Sequence, residues 1–147
     1  MGQAQRIRYR DGCVPAHASD RNAGEPALCF GRLYFREVSG NGVDFGHFFG
    51  AGGLVAFSRI LSDREVLVVA NTGAQRFSGA VLMDRDINAT PRRMTIVYSN
   101  RDSAGESATR LIPTANFFHA DQPVTQGPAA ALDVTLEANE VKVFVPV

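Results

Sequence analysis

Residues 54–70 read LVAFSRILSDREVLVVA, and this stretch decides the fold class. Leu54-Val55-Ala56-Phe57-Ser58-Arg59-Ile60 has the β-branched and aromatic content of a strand. Ser62-Asp63-Arg64 is a tight turn, and Glu65-Val66-Leu67-Val68-Val69-Ala70 runs apolar on both faces. A strand that is apolar on both sides belongs in the middle of a sandwich or a covered sheet. Strand, three-residue turn and strand together predict a β-hairpin.

Outward from this hairpin the period stays at two. Arg32-Leu33-Tyr34-Phe35-Arg36-Glu37-Val38 alternates and predicts one strand; Ser39-Gly40-Asn41-Gly42 after it is a strong turn signal. Ala80-Val81-Leu82-Met83 and Met94-Thr95-Ile96-Val97-Tyr98 are further strands. The polar segment from Arg101 to Thr109 is expected to be loop. Leu132, Val134 and Leu136 point one way along a clean alternation, Ala138-Asn139 turns the chain, and Val141, Val143 and Val145 share one face of the last strand. The expectation is an all-β fold, an antiparallel β-sandwich of about eight strands of Greek-key type, over residues 31–147. Residues 1–30 read as an irregular N-terminal arm: Arg6, Arg8 and Arg10 alternate with Ile7 and Tyr9 as a short edge strand, and DGCVPAHASDRNAGEP is loop.

The chain has 147 residues, 45% apolar and 20% charged, with 15 basic and 15 acidic side chains and a pI near 6.8. That is one ordinary globular domain. A zero charge balance gives no footprint for nucleic acid or an anionic membrane. No run approaches the roughly 18–20 apolar residues of a membrane span. The opening MGQAQRIRYRDG has no apolar signal-peptide core, so a cytoplasmic location is expected. A (β/α)₈ barrel needs about 200 residues or more, so it does not fit.

The search for chemistry returns little. Cys13, His17, Cys29 and His47 are zinc-type ligands, but their C-x₃-H and C-x₁₇-H spacings match no compact zinc module. No metal and no cofactor are expected. Cys13 and Cys29 are read as two thiols of a reducing compartment rather than a disulfide. His119 and Asp121 form a surface loop pair. Asp84 and Asp86 could share a face as a glycosidase pair needs, yet they end a strand in a polar turn where nothing separates their pKa values. Ser78, in RFSGA, is not on a nucleophile elbow, and the glycine clusters at 40–46 and 50–53 lack the Lys and helix of a phosphate loop. The aromatic residues remain. Phe45, Phe48 and Phe49 fall in one Gly-rich loop, Phe117 and Phe118 in another, and with Tyr98 they form the candidate contact surface. Burial, within the domain or against another protein, is the favoured reading of the Phe residues.

The runs EPALCFGRLYFREVSGNGVDFG (25–46), GGLVAFSRILSDREVLVVANTG (52–73), MTIVYSN (94–100) and LDVTLEANEVKVFVPV (132–147) together resemble the C-terminal β-domain of alpha-amylase-type enzymes, glycoside hydrolase family 13. The resemblance spans about residues 25–147 and is most specific from Ala56 to Gly73. It implies an accessory domain of an enzyme acting on alpha-glucans. The catalytic Asp nucleophile, Glu acid/base and stabilising Asp of such enzymes lie on the barrel, and their motifs have no counterpart here. The domain is therefore expected to be inactive alone, to pack on the catalytic barrel of its parent and stabilise it, and to expose an apolar patch that drives self-association when isolated. A free-standing carbohydrate-binding module is the alternative; the absence of Trp counts against it.

Overall fold

The computed structural model describes residues 25–46, 53–119 and 122–147, with side-chain surroundings for all of these except Phe118, His119, Gln122 and Pro123. The short strand expected at Arg6–Arg10, and the arm up to residue 24, lie outside the described residues.

The first described element is helical. Pro26–Phe30 forms one helical turn, α1, where an irregular arm is expected through residue 30. Proline at the first position presets the backbone angle and lacks an N–H that would go unused there. The Gly31 N–H closes the turn on Ala27 O at 2.9 Å. A Cβ at Gly31 would lie 2.5 Å from that oxygen and 3.0 Å from the backbone of Ile60, so only glycine lets the helix end this close to the strand that carries Ile60.

Among the described residues twelve strands follow: β1 Arg32–Phe35, β2 Val38–Ser39, β3 Asp44–Phe45, β4 Leu54–Leu61, β5 Arg64–Asn71, β6 Phe77–Met83, β7 Arg93–Ser99, β8 Glu106–Ile112, β9 Ala115–His119, β10 Gln122–Gln126, β11 Ala129–Leu136 and β12 Val141–Pro146. Nine of them form one antiparallel sheet in the order β1-β4-β5-β12-β7-β8-β11-β6-β2. The sheet doubles over at the β7–β8 pair, which is only three residues long. One layer is then β1-β4-β5-β12-β7 and the other β8-β11-β6-β2. Between them lie Ala56, Leu67, Val69, Met94 and Phe144 from the first layer and Val38, Val81, Met83, Leu132, Val134 and Leu136 from the second. This is the expected all-β antiparallel sandwich. β12 sits between β5 and β7 while β11 sits between β6 and β8, the interlocked order of a Greek key.

The β4–β5 hairpin forms as the sequence predicts, with Arg64 in the strand rather than the turn. Leu61 pairs with Arg64 across a two-residue turn, and β5 is buried on both faces along most of its length. Ser62 takes the turn with φ 56°, a backbone region that costs an L-residue about 1–2 kcal/mol. Ser62→Gly should therefore raise the unfolding free energy by about 0.5–1 kcal/mol, since the added chain entropy offsets part of the gain. Ser62→Val should lower it; urea midpoints at constant m check both.

Three expectations need correction. The strand expected from Arg32 to Val38 is two strands in different layers, because the chain crosses from one sheet edge to the other at Arg36-Glu37. The segment expected as loop from Arg101 to Thr109 is strand from Glu106 onward; Thr109 turns into the sandwich opposite Leu132, Ile112 turns to the outer face of the second layer, and Thr109 Oγ1 accepts the Arg92 N–H at 2.8 Å. Phe117-Phe118-His119 lie on β9, which pairs with β10 and, in parallel, with β3. This small sheet covers the outer face of the second layer, seating Phe45 and Phe117 over Ala80, Ala131 and Ile112. Alanine at those sheet positions leaves the room the two rings fill.

Candidate functional site

Among the described residues only α1 lies on the outer face of the first layer. Parity along the ladder settles which side chains it carries. Ala56, Ser58, Leu67 and Val69 point into the sandwich, so Val55, Phe57, Val68 and Ala70 point out. Phe35 lies directly opposite Phe57, Phe57 opposite Val68, Val68 opposite Val143, and Val143 opposite Tyr98. That is one unbroken apolar row across all five strands. Val55, Ala70 and Val141 make a shorter row beside it. At the other end α1 covers the face: Ala27 packs on Val66 and Val145, with Leu28, Leu61 and Val143 around them. The ion pair of Glu25 with Arg64, bidentate at 2.7 Å, pins the helix there. Beyond the helix the row lies open, with Phe35 72% and Tyr98 47% exposed.

The candidate aromatic residues thus separate. Phe45 is fully buried, its ring 6.1 Å from that of half-buried Phe117, so Phe45 belongs to the interior and not to a contact surface. β3 and β9 place it there. Asp44 beside it accepts from Asn116 at 2.7 Å and Asn41 at 2.6 Å, which hold its carboxyl below the ordinary carboxylate range against a small opposing effect of burial. Tyr98 is on the open face. Phe48, Phe49, Cys13, His17, His47 and Asp121, and the side chains of Phe118 and His119, lie outside the described residues.

Two buried acids went unread in the sequence. Glu65, 1% exposed, opens β5 with its side chain turned into the sandwich. Its carboxylate accepts from Arg36 Nη2 at 2.8 Å, Ser58 Oγ at 2.5 Å, Asn88 Nδ2 at 2.8 Å and the Asp84 N–H at 3.0 Å. Arg36 Nε also donates to Ser58 Oγ at 2.8 Å. The signal was available: a glutamate at an inward position of a strand otherwise apolar on both faces needs a cation. Glu140, 0% exposed, accepts from Ser103 Oγ at 2.6 Å, the Glu137 N–H at 2.7 Å and Ser99 Oγ at 2.8 Å. Both carboxylates are met by the protein's own donors.

Asp84 serves the backbone of its own turn. Asp84 Oδ1 accepts the N–H groups of Asp86 and Ile87 at 3.0 and 3.1 Å and folds the turn after β6. A shallow cleft of about 450 Å³ is lined by Asp63, Arg64, Pro91, Arg92, Arg93, Pro146 and Val147. Its guanidinium groups are engaged: Arg64 with Glu25, Arg92 with Asp63 O at 3.0 Å, Arg93 with Glu106 at 3.8 Å. Among the described residues no three His, Cys, Asp or Glu side chains converge to hold a metal ion, and no helix is long and apolar enough to cross a membrane.

No family model, curated protein or solved structure matches this chain. The functional reading therefore rests on the chain's own surface, and the open row from Phe35 to Tyr98 is its most distinctive part.

Proposed function

We propose that this chain is an accessory β-sandwich domain of an alpha-amylase-type glycosidase, inactive alone, which packs its open sheet face against the parent's catalytic barrel. The observation that carries the reading is the asymmetry of the two outer faces. One is closed by its own small sheet. The other presents Phe35, Phe57, Val68, Val143 and Tyr98 in one row with nothing beyond α1 laid on it among the described residues. A sheet apolar on both sides is stable in water only with both sides covered. A barrel's outer helices are the kind of surface that layers on a sheet. The resemblance supplies the identity of the partner: its four blocks fall on α1 with β1 to β3, on β4 with β5, on β7, and on β11 with β12.

The test mixes the pure chain with an alpha-amylase-type barrel stripped of its own C-terminal domain. Binding and a higher barrel Tm are expected, and Val68→Glu at the centre of the row should weaken binding tenfold or more. Binding indifferent to Val68→Glu would overturn the proposal, as would turnover of starch or maltooligosaccharides by the chain alone. Retardation of the chain in a starch gel, abolished by Tyr98→Ala, would replace it with the carbohydrate-binding module.

A further inference from the structure

We propose that the free edge of the main sheet, strand β1, joins two copies of this chain antiparallel about a two-fold axis through Tyr34. This goes beyond docking through the outer face, because it uses the backbone of the edge.

The two edges of the nine-stranded sheet differ. β2 at one end is two residues long, and both are buried. Val38 there exchanges hydrogen bonds with Gly46 at 3.2 Å, so that edge is closed. At the other end no strand among the described residues pairs with the outward edge of β1; all four of its residues are exposed, and Arg32 is its one charge. The ladder fixes which backbone groups face outward. Arg36 N–H donates to Ala56 O at 2.9 Å. Counting back by twos, Tyr34 with Ser58 and Arg32 with Ile60 are the hydrogen-bonded pairs. Leu33 and Phe35 therefore turn their N–H and C=O groups away from β4, toward the open edge.

A two-fold axis normal to the sheet keeps the two outer faces on one side, so opposed residues must share parity. Of the registers that satisfy this rule and the hydrogen bonds, the one centred on Tyr34 uses both outward-facing residues of β1. Leu33 of one copy faces Phe35 of the other, each pair exchanging both backbone bonds, and Tyr34 faces its own copy across the axis. The same register sets Leu33 against Phe35 as apolar outer-face pairs. The edge side chains are open to a partner: Leu33, Tyr34 and Phe35 are 48, 41 and 72% exposed. At about 150–250 Å² per large side chain they offer on the order of 300 Å² per copy. Two copies then bury at most roughly 600 Å², the size of a weak, transient association.

Sedimentation equilibrium from micromolar to millimolar concentration reads the association. Twice the 15.9 kDa chain mass is expected at the top of the range. Leu33→Pro removes an outward N–H without touching the β1–β4 bonds, and should raise the dimer Kd at least tenfold at unchanged Tm. Val68→Glu should leave the dimer intact even where it abolishes barrel binding, which separates this inference from the preceding one. Tyr34 is the non-hydrogen-bonded pair on the axis, with Cα atoms about 4.5 Å apart, inside disulfide reach. Tyr34→Cys, in a chain with Cys13→Ser and Cys29→Ser, should form an intermolecular disulfide on mild oxidation, and Arg32→Cys in the same background should not. A monomer at every concentration would overturn the inference. So would a dimer that Leu33→Pro leaves untouched, or cross-linking equal at both cysteine positions.

Discussion

Glu65→Ala should lower the unfolding free energy by about 3–5 kcal/mol, the largest effect expected from any polar position described above. The carboxylate is the hub of a buried network, and each partner depends on it. Arg36 would keep its charge at the end of the interior with only Ser58 Oγ to accept from it. Asn88 Nδ2 would retain only Asp84 O, at 2.8 Å, and the Asp84 N–H would lose its acceptor. An uncompensated buried cation costs more than a lost hydrogen bond between neutral groups. Glu65→Gln should cost less than Glu65→Ala, because an amide oxygen still serves Asp84 and Ser58. The pair Arg36→Met with Glu65→Leu should recover much of the loss, since apolar side chains of similar size carry no desolvation cost. Urea unfolding of Arg36→Met, of Glu65→Leu and of the double variant gives the coupling directly. A coupling near zero would mean that Arg36 escapes to water when its partner is removed.

This network also explains where the sequence pattern misleads. Arg32 to Val38 alternates well enough to predict one strand, yet the chain leaves the first layer at Arg36 because its guanidinium is drawn inward to Glu65. Alternation reports which side a residue faces, not which layer it faces. The β4–β5 hairpin and the faces of β11 and β12 were legible because local turn chemistry and period two agree there. The partners of β11 and β12 were not legible. The Ala138-Asn139 turn, with Asn139 at φ 54°, hands the chain from one layer to the other, so these consecutive strands do not pair with each other. β9 and β10 escaped for a different reason. Ala115–His119 and Gln122–Gln126 lack alternation, and they become strands only by pairing with each other over the alanines of the second layer. The open outer row was the least visible feature. Each of its residues looks like an ordinary strand residue, and only the registers of four separate pairings align them.

Acid should weaken the fold through Glu140, and the direction follows from where its proton is bound. Burial alone would favour the protonated form. The donors outweigh it: Ser103 Oγ, the Glu137 N–H, Ser99 Oγ and the nearby Lys142 ammonium hold the folded-state pKa down from an ordinary 4.5 to about 2. Lys142 Nζ lies 3.5 Å away and also donates to Thr135 O at 2.6 Å, so the cation is fixed in place. Above pH 4.5 the group is ionised whether the chain is folded or not, and its full contribution to stability is present. Between pH 4.5 and about 2 the unfolded chain binds a proton that the folded chain refuses, so stability falls as pH falls. Below that range both forms are protonated and the contribution is gone. At about 1.4 kcal/mol per pKa unit, less some solvent screening near the turns, Glu140 contributes on the order of 2–3 kcal/mol at neutral pH. Glu140→Gln should lose that amount at pH 7 and flatten the acid limb of the stability curve, the two proteins converging near pH 2. Urea unfolding at half-unit intervals from neutral pH downward reads both curves. Parallel curves over the whole range would mean that the serines and Lys142 serve Glu140 only as neutral packing, and that another carboxylate carries the acid sensitivity.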